Sequence, residues 1–100
     1  MVGVGITSEG EIKEFECVNG YLCCWNDDLV SLEIPEGDIN VDCWNNLLTE
    51  LIIPEGLKTV FCWNNKLTEL TIPDSVTSLI CDKEVSGLEE FIGEIEIELW

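Results

Sequence analysis

Leu57-Lys58-Thr59-Val60-Phe61-Cys62-Trp63-Asn64-Asn65-Lys66-Leu67-Thr68-Glu69-Leu70-Thr71-Ile72-Pro73 decides the fold, because the chain repeats its frame. Cys24, Cys43, Cys62 and Cys81 lie 19 residues apart at each step. Trp25, Trp44 and Trp63 keep the same step, and Asp82 stands where a fourth Trp would fall. Ile34, Ile53 and Ile72 follow suit, each with a proline after it: Pro35, Pro54 and Pro73. Leu29, Leu48 and Leu67, with Leu32, Leu51 and Leu70, complete the frame. A short period with a constant apolar frame describes a solenoid. One coil cannot hide its apolar face alone, whereas stacked coils share a continuous core.

Within a coil, Val60 and Cys62 alternate with Phe61 and Trp63, which is the period of a strand. The Ile-Pro step then bars helix and turns the chain. Nineteen residues hold a short strand, a return run and two bends, leaving no length for a helix. The expected fold is mainly β: a solenoid with a parallel sheet on its concave face, strands ~4.8 Å apart. Its return side is extended or turn-like, with little or no helix. The period sets the boundaries: an N-terminal cap at 1–18, repeats at 19–37, 38–56, 57–75 and 76–93, and a C-terminal strand at 94–100. One domain is expected over 1–100, because half this length buries too little core. In the last repeat Val85 and Leu88 fall one residue early, which reads as a degenerate terminal coil. Val2 to Ile6 and Glu11 to Phe15 fit strands of a cap. Ile95 to Trp100 alternates as a half-buried strand at the end of the sheet, and Glu94, Glu96 and Glu98 blunt its open edge.

Leu57-x-x-Val60-x-Cys62-x-x-Asn65-x-Leu67 resembles the defining segment of leucine-rich repeats. Its Leu-Thr-x-Leu-x-Ile-Pro continuation is similar to the short bacterial and viral subclasses, and Ile72 to Leu79 is similar to the bacterial surface-antigen type. The resemblance covers roughly residues 19–91. It implies an Asn ladder that bonds backbone at the bend. Asn46 and Asn65 match that position, Asp27 substitutes for it and Glu84 departs from it. It implies a fold and no particular function, since function lies in what a scaffold displays.

The chain carries 21 Asp plus Glu against 4 Lys, no Arg and no His, for a net charge of -17. Direct binding of DNA or RNA needs cations to displace counterions from phosphate, so this composition excludes it. Anionic membrane leaflets repel such a chain, and no apolar run is long enough to span a bilayer. The N-terminus lacks the basic and apolar regions of a secretory signal. A cytoplasmic protein is expected (host cytoplasm, if the source is viral), with its cysteines reduced. The Cys ladder is expected in the core as small hydrophobes. Its spacing does not suit zinc, and no cofactor is expected. Cys23 should point outward and Cys17 lies in the cap, which makes both candidates for oxidation. Without His, a nucleophile elbow or a Gly-rich phosphate loop, an enzyme is not expected.

Three outward rows remain: Cys23, Asp42, Phe61, Ile80; Trp25, Trp44, Trp63, Asp82; and Asn26, Asn45, Asn64, Lys83. The Trp rings should stack edge to edge, stabilising the sheet and offering a binding face. The candidate protein-binding residues are Trp25, Trp44, Trp63, Phe61, Asp42, Asn45, Asn64, Asp82 and Glu84. Acids recur at Glu36, Glu55 and Asp74 and at Glu50 and Glu69, and seven of the 21 fall within residues 81–100. The expected function is a non-catalytic module, monomeric or weakly dimeric. It would grip a basic protein, with nucleic-acid-binding proteins among the candidates, through the Trp face and acidic surface. The alternative is an acidic mimic of nucleic acid that inhibits a nuclease or other DNA- or RNA-binding protein, similar in character to phage anti-restriction and anti-CRISPR proteins.

Overall fold

A computed structural model describes residues 2–37, 40–91 and 93–100. Among these residues eight strands follow in chain order: β1 (Val2–Thr7), β2 (Ile12–Glu16), β3 (Tyr21–Cys23), β4 (Leu29–Glu33), β5 (Asn40–Asp42), β6 (Thr59–Phe61), β7 (Ser78–Cys81) and β8 (Glu96–Leu99). Helix is confined, among the described residues, to a 3-10 turn at Glu89–Phe91. β3, β5, β6, β7 and β8 form one parallel sheet in that order, and the chain winds through about four solenoid turns. The register follows the period: Val41 lies opposite Leu22 and Val60, and Val60 opposite Leu79. The boundary placed at residue 38 lies outside the described residues.

The inward rows are fully buried: Leu22, Val41, Val60 and Leu79, then Cys24, Cys43, Cys62 and Cys81. Leu29, Leu48 and Leu67 close the core from the bend, and Ile34, Ile53 and Ile72 close it from the return side. The Ile-Pro steps end in tight turns. Gly37 and Gly56 take φ of 98° and 100°, a region that a side chain would strain. In the next copy Ser75 stands at the glycine position and its hydroxyl accepts from the Gly56 amide at 2.9 Å.

The N-terminal strands do not extend the parallel sheet. β1 pairs antiparallel with β2 and, on its other edge, with β4, the return run of the first turn. The side of β1 facing the core carries Gly3, Gly5 and Thr7, all buried. A Cβ at Gly3 would meet Leu22 Cδ2 at 2.8 Å, and one at Gly5 would meet Leu29 Cδ2 at 2.7 Å. The glycines let the backbone of β1 lie directly on the end of the leucine core. At the other end β8 pairs with β7, setting Ile97 opposite Leu79 and Leu99 opposite Cys81.

Candidate protein-binding face

The parallel register aligns three rows on the sheet's outer face. The first is Tyr21, Asn40, Thr59, Ser78 and Glu96, and the second is Cys23, Asp42, Phe61, Ile80 and Glu98. The third runs just beyond the strands and holds the tryptophans.

Trp25 and Trp44 have ring centroids 4.8 Å apart and planes 3° from parallel; Trp44 and Trp63 are 5.0 Å apart at 6°. The rings stack face to face, not edge to edge as the sequence suggested. Identical positions one strand apart give each indole the same direction, and the strand spacing of ~4.8 Å is itself a stacking distance. A fourth ring extends the ladder. Trp100 stacks on Trp63 at 5.1 Å and 28°. Asp82 leaves the room for this, standing at the strand between them in the Trp position. Backbone pairing continues past β8 to seat the ring, with Trp100 N donating to Cys81 O and Lys83 N donating to Trp100 O. The middle rungs Trp44 and Trp63 are half-buried, while Trp25 is 43% and Trp100 58% exposed. Phe61 packs tilted against Trp63, with centroids 6.4 Å apart.

Two Asn ladders shape the bend behind the rings. Asn46 is buried, and its amide group donates to Cys24 O and Cys43 O at 2.9 and 3.0 Å. Its carbonyl accepts from Asp27 N and Leu29 N, both at 3.0 Å. Asn65 repeats the pattern on Cys43 O, Cys62 O and Leu48 N. Asn26, Asn45 and Asn64 take the left-handed conformation, with φ of 60°, 60° and 57°. Asn is among the few side-chain-bearing residues that enter this region readily. Asn64 donates to Asn45, and Asn45 to Asn26 at 2.8 Å. Asn45 and Asn64 therefore already have partners within the turn.

The remaining candidates divide in the same way. The Asp82 carboxylate accepts from Asn64 N at 2.7 Å and Asn65 N at 3.0 Å, so it closes the bend where the sequence has no further Asn. Asp42 accepts from the Tyr21 hydroxyl through Oδ2, while its Oδ1 is buried without a partner. That bond, aided by burial and the Asp42 charge, pushes the Tyr21 hydroxyl up to about 12. Glu84 is exposed just past the end of β7. The structure thus gathers the tryptophans, Phe61 and Asp42 on one face and assigns Asn45, Asn64 and Asp82 to the bend beside it. Sequence reasoning missed Trp100, Tyr21 and the Glu96–Glu98 pair as members of this face. The one-residue slip at Val85 and Leu88 was the available signal. It shortens the last step to 18 residues, and 82 plus 18 is 100.

Burial fixes the ladder thiols as thiols: it pushes Cys24 to about 12 and Cys81 to about 11, and drives Cys43 and Cys62 well above the ordinary range. Cys23 is exposed in the second row. Among the described residues the sole ion pair is Lys13 to Asp27, at 3.6 Å and remote from β8. No helix there is long and apolar enough to cross a membrane. No protein-family model, curated protein or solved structure matches the chain.

Proposed function

We propose that the chain is a leucine-rich-repeat-type module without catalytic activity that binds a basic protein through the Trp-lined outer face of its sheet. The four-ring stack is the observation that carries the reading. Stacking satisfies the inner faces of Trp25 and Trp100, yet both ends of the ladder stay open to solvent. Trp is the side chain most enriched where binding energy concentrates. Carboxylates of Asp42, Glu96 and Glu98 share the same face, and a net charge of -17 gives it a field that draws cations. The Asn46 and Asn65 ladder supports the repeat type, because it bonds the bend as the resemblance implies. The rigid, layered turns supply a fixed platform, so little ordering entropy opposes binding.

The test starts with capture of host proteins on the immobilised chain and continues with the purified partner. Trp25→Ala and Trp100→Ala should each weaken that partner about tenfold, the size of a modest hot spot, while circular dichroism stays unchanged. Unchanged affinity in both variants overturns the reading. Duplex DNA added as competitor separates the mimic reading: release of the partner by DNA would mean that the chain occupies a nucleic-acid groove.

A further inference from the structure

Beside the aromatic row the outer face dips into a concavity of about 350 Å³. Apolar Phe61 and Ile80 line it together with Ser78 and with Glu96 and Glu98 of the edge strand β8. The register sets Glu96 beside Ser78 and Glu98 beside Ile80. Residues two apart in a strand share a face, so Glu96 and Glu98 project from the same edge with their Cα atoms ~7 Å apart. The chain's own cations are spent elsewhere or stand alone, since the sole described ion pair joins Lys13 and Asp27. Glu98 is held in place as well: Trp100 Nε1 donates to its Oε2, and Trp100 is held by its stack on Trp63.

An occupant that suits this shape has an aliphatic stem for Phe61 and Ile80 and a cation able to serve two separate acceptors. A Lys ammonium is a single point charge, whereas the Arg guanidinium is a planar fork of five donors that pairs with carboxylates. The geometry points to an arginine side chain of the basic partner as the occupant of this concavity. Its stem lies on Phe61 and Ile80, and its guanidinium donates to Glu96 and Glu98. Trp100 is a positioning residue, fixing Glu98 through its indole N–H. This assignment rests on the outer face being the binding face.

The probe is a capped Gly-Leu-Arg-Leu-Gly peptide, with a citrulline counterpart that keeps the shape and removes the charge. Both are titrated into the full chain and followed by amide chemical shifts in NMR. The arginine peptide should shift the amides of Ile80, Ile97 and Glu98 and bind about tenfold tighter than the citrulline peptide. Glu96→Gln and Glu98→Gln should each weaken it about tenfold, and Glu69→Gln, the same charge change on the return side, less than about twofold. Trp100→Phe keeps a ring but loses the N–H, and should weaken the arginine peptide while leaving the citrulline peptide unchanged. Equal binding of the two peptides, or equal loss in Glu69→Gln and Glu98→Gln, overturns the site. The purified partner distinguishes the two levels. If Trp25→Ala weakens it but Glu96→Gln and Glu98→Gln do not, the arginine site fails and the binding face stands. If Trp25→Ala, Trp100→Ala, Glu96→Gln and Glu98→Gln all leave it unchanged, both fail.

Discussion

Asn46 ties two turns together through one side chain. It pairs with backbone groups of Asp27, Leu29, Cys24 and Cys43 in a place that water does not reach. Truncation would strand these groups, and each buried unpaired backbone group costs about 1–3 kcal/mol. Asn46→Ala should therefore lower stability by about 3 kcal/mol, and Asn65→Ala, which is only half-buried, by about half as much. Urea denaturation midpoints check both, and equal, small losses would show that the ladder is decorative. The thiols give a second test at this scale. A thiol raised by burial binds its proton more tightly when folded than when unfolded. Its stabilising contribution is complete below the ordinary value of 9.0 and is lost as pH climbs through about 11 for Cys81 and about 12 for Cys24. The denaturation midpoint should hold steady up to pH 9 and fall above it. At neutral pH a thiol reagent should modify Cys23 quickly and reach the four ladder thiols only after unfolding. Rapid reaction of Cys43 in the native chain would contradict the packing.

At the scale of elements, the period specified the interior but not the ends. The inward rows are set by a step of 19, and each falls at zero or near-zero exposure. Such a period says nothing about what covers the first and last turns, because the caps do not share it. Val2-Gly3-Val4-Gly5-Ile6 reads as a strand, yet its partner β4 is unreadable, since Leu29 to Glu33 looks like any other return run. The Asn26, Asn45 and Asn64 row has the same ambiguity. An alternating pattern continued past Trp would point it inward, whereas the left-handed bend keeps it at the surface as a ladder of its own. Trp100 was hidden because its place depends on a turn one residue shorter than the rest. The cap makes a direct prediction. Any side chain at Gly5 must displace Leu29, so Gly5→Val should cost about 2 kcal/mol by overpacking. Ile12→Ala, on the exposed side of β2, should change stability by less than about 0.5 kcal/mol. Thermal melts of the two variants test whether β1 is a seal on the core or a loose ribbon.

For the whole molecule, charge opposes the fold and would favour the proposed basic partner. Its extents are 38 × 27 × 16 Å, and it holds 17 more negative charges than positive ones. At 0.01 M salt the screening length is ~30 Å, so carboxylates on opposite sides still repel one another; at 1 M it is ~3 Å, and only neighbours do. Self-repulsion is stronger in the compact state than in the expanded chain. Raising salt should therefore stabilise the fold, with a rise in Tm of about 5 °C for each kcal/mol of repulsion removed. The attraction between the acidic face and a basic partner is screened by the same ions, so affinity should fall over the same range. These opposite signs are the useful part. Weaker capture at high salt would otherwise be open to explanation by unfolding. Here the chain is at its most stable where binding is at its weakest, so a parallel measurement of Tm and affinity from 0.01 to 1 M separates the two causes. Binding that persists unchanged at 1 M would mean that the stacked rings carry the interface alone and that the acidic field contributes nothing to it.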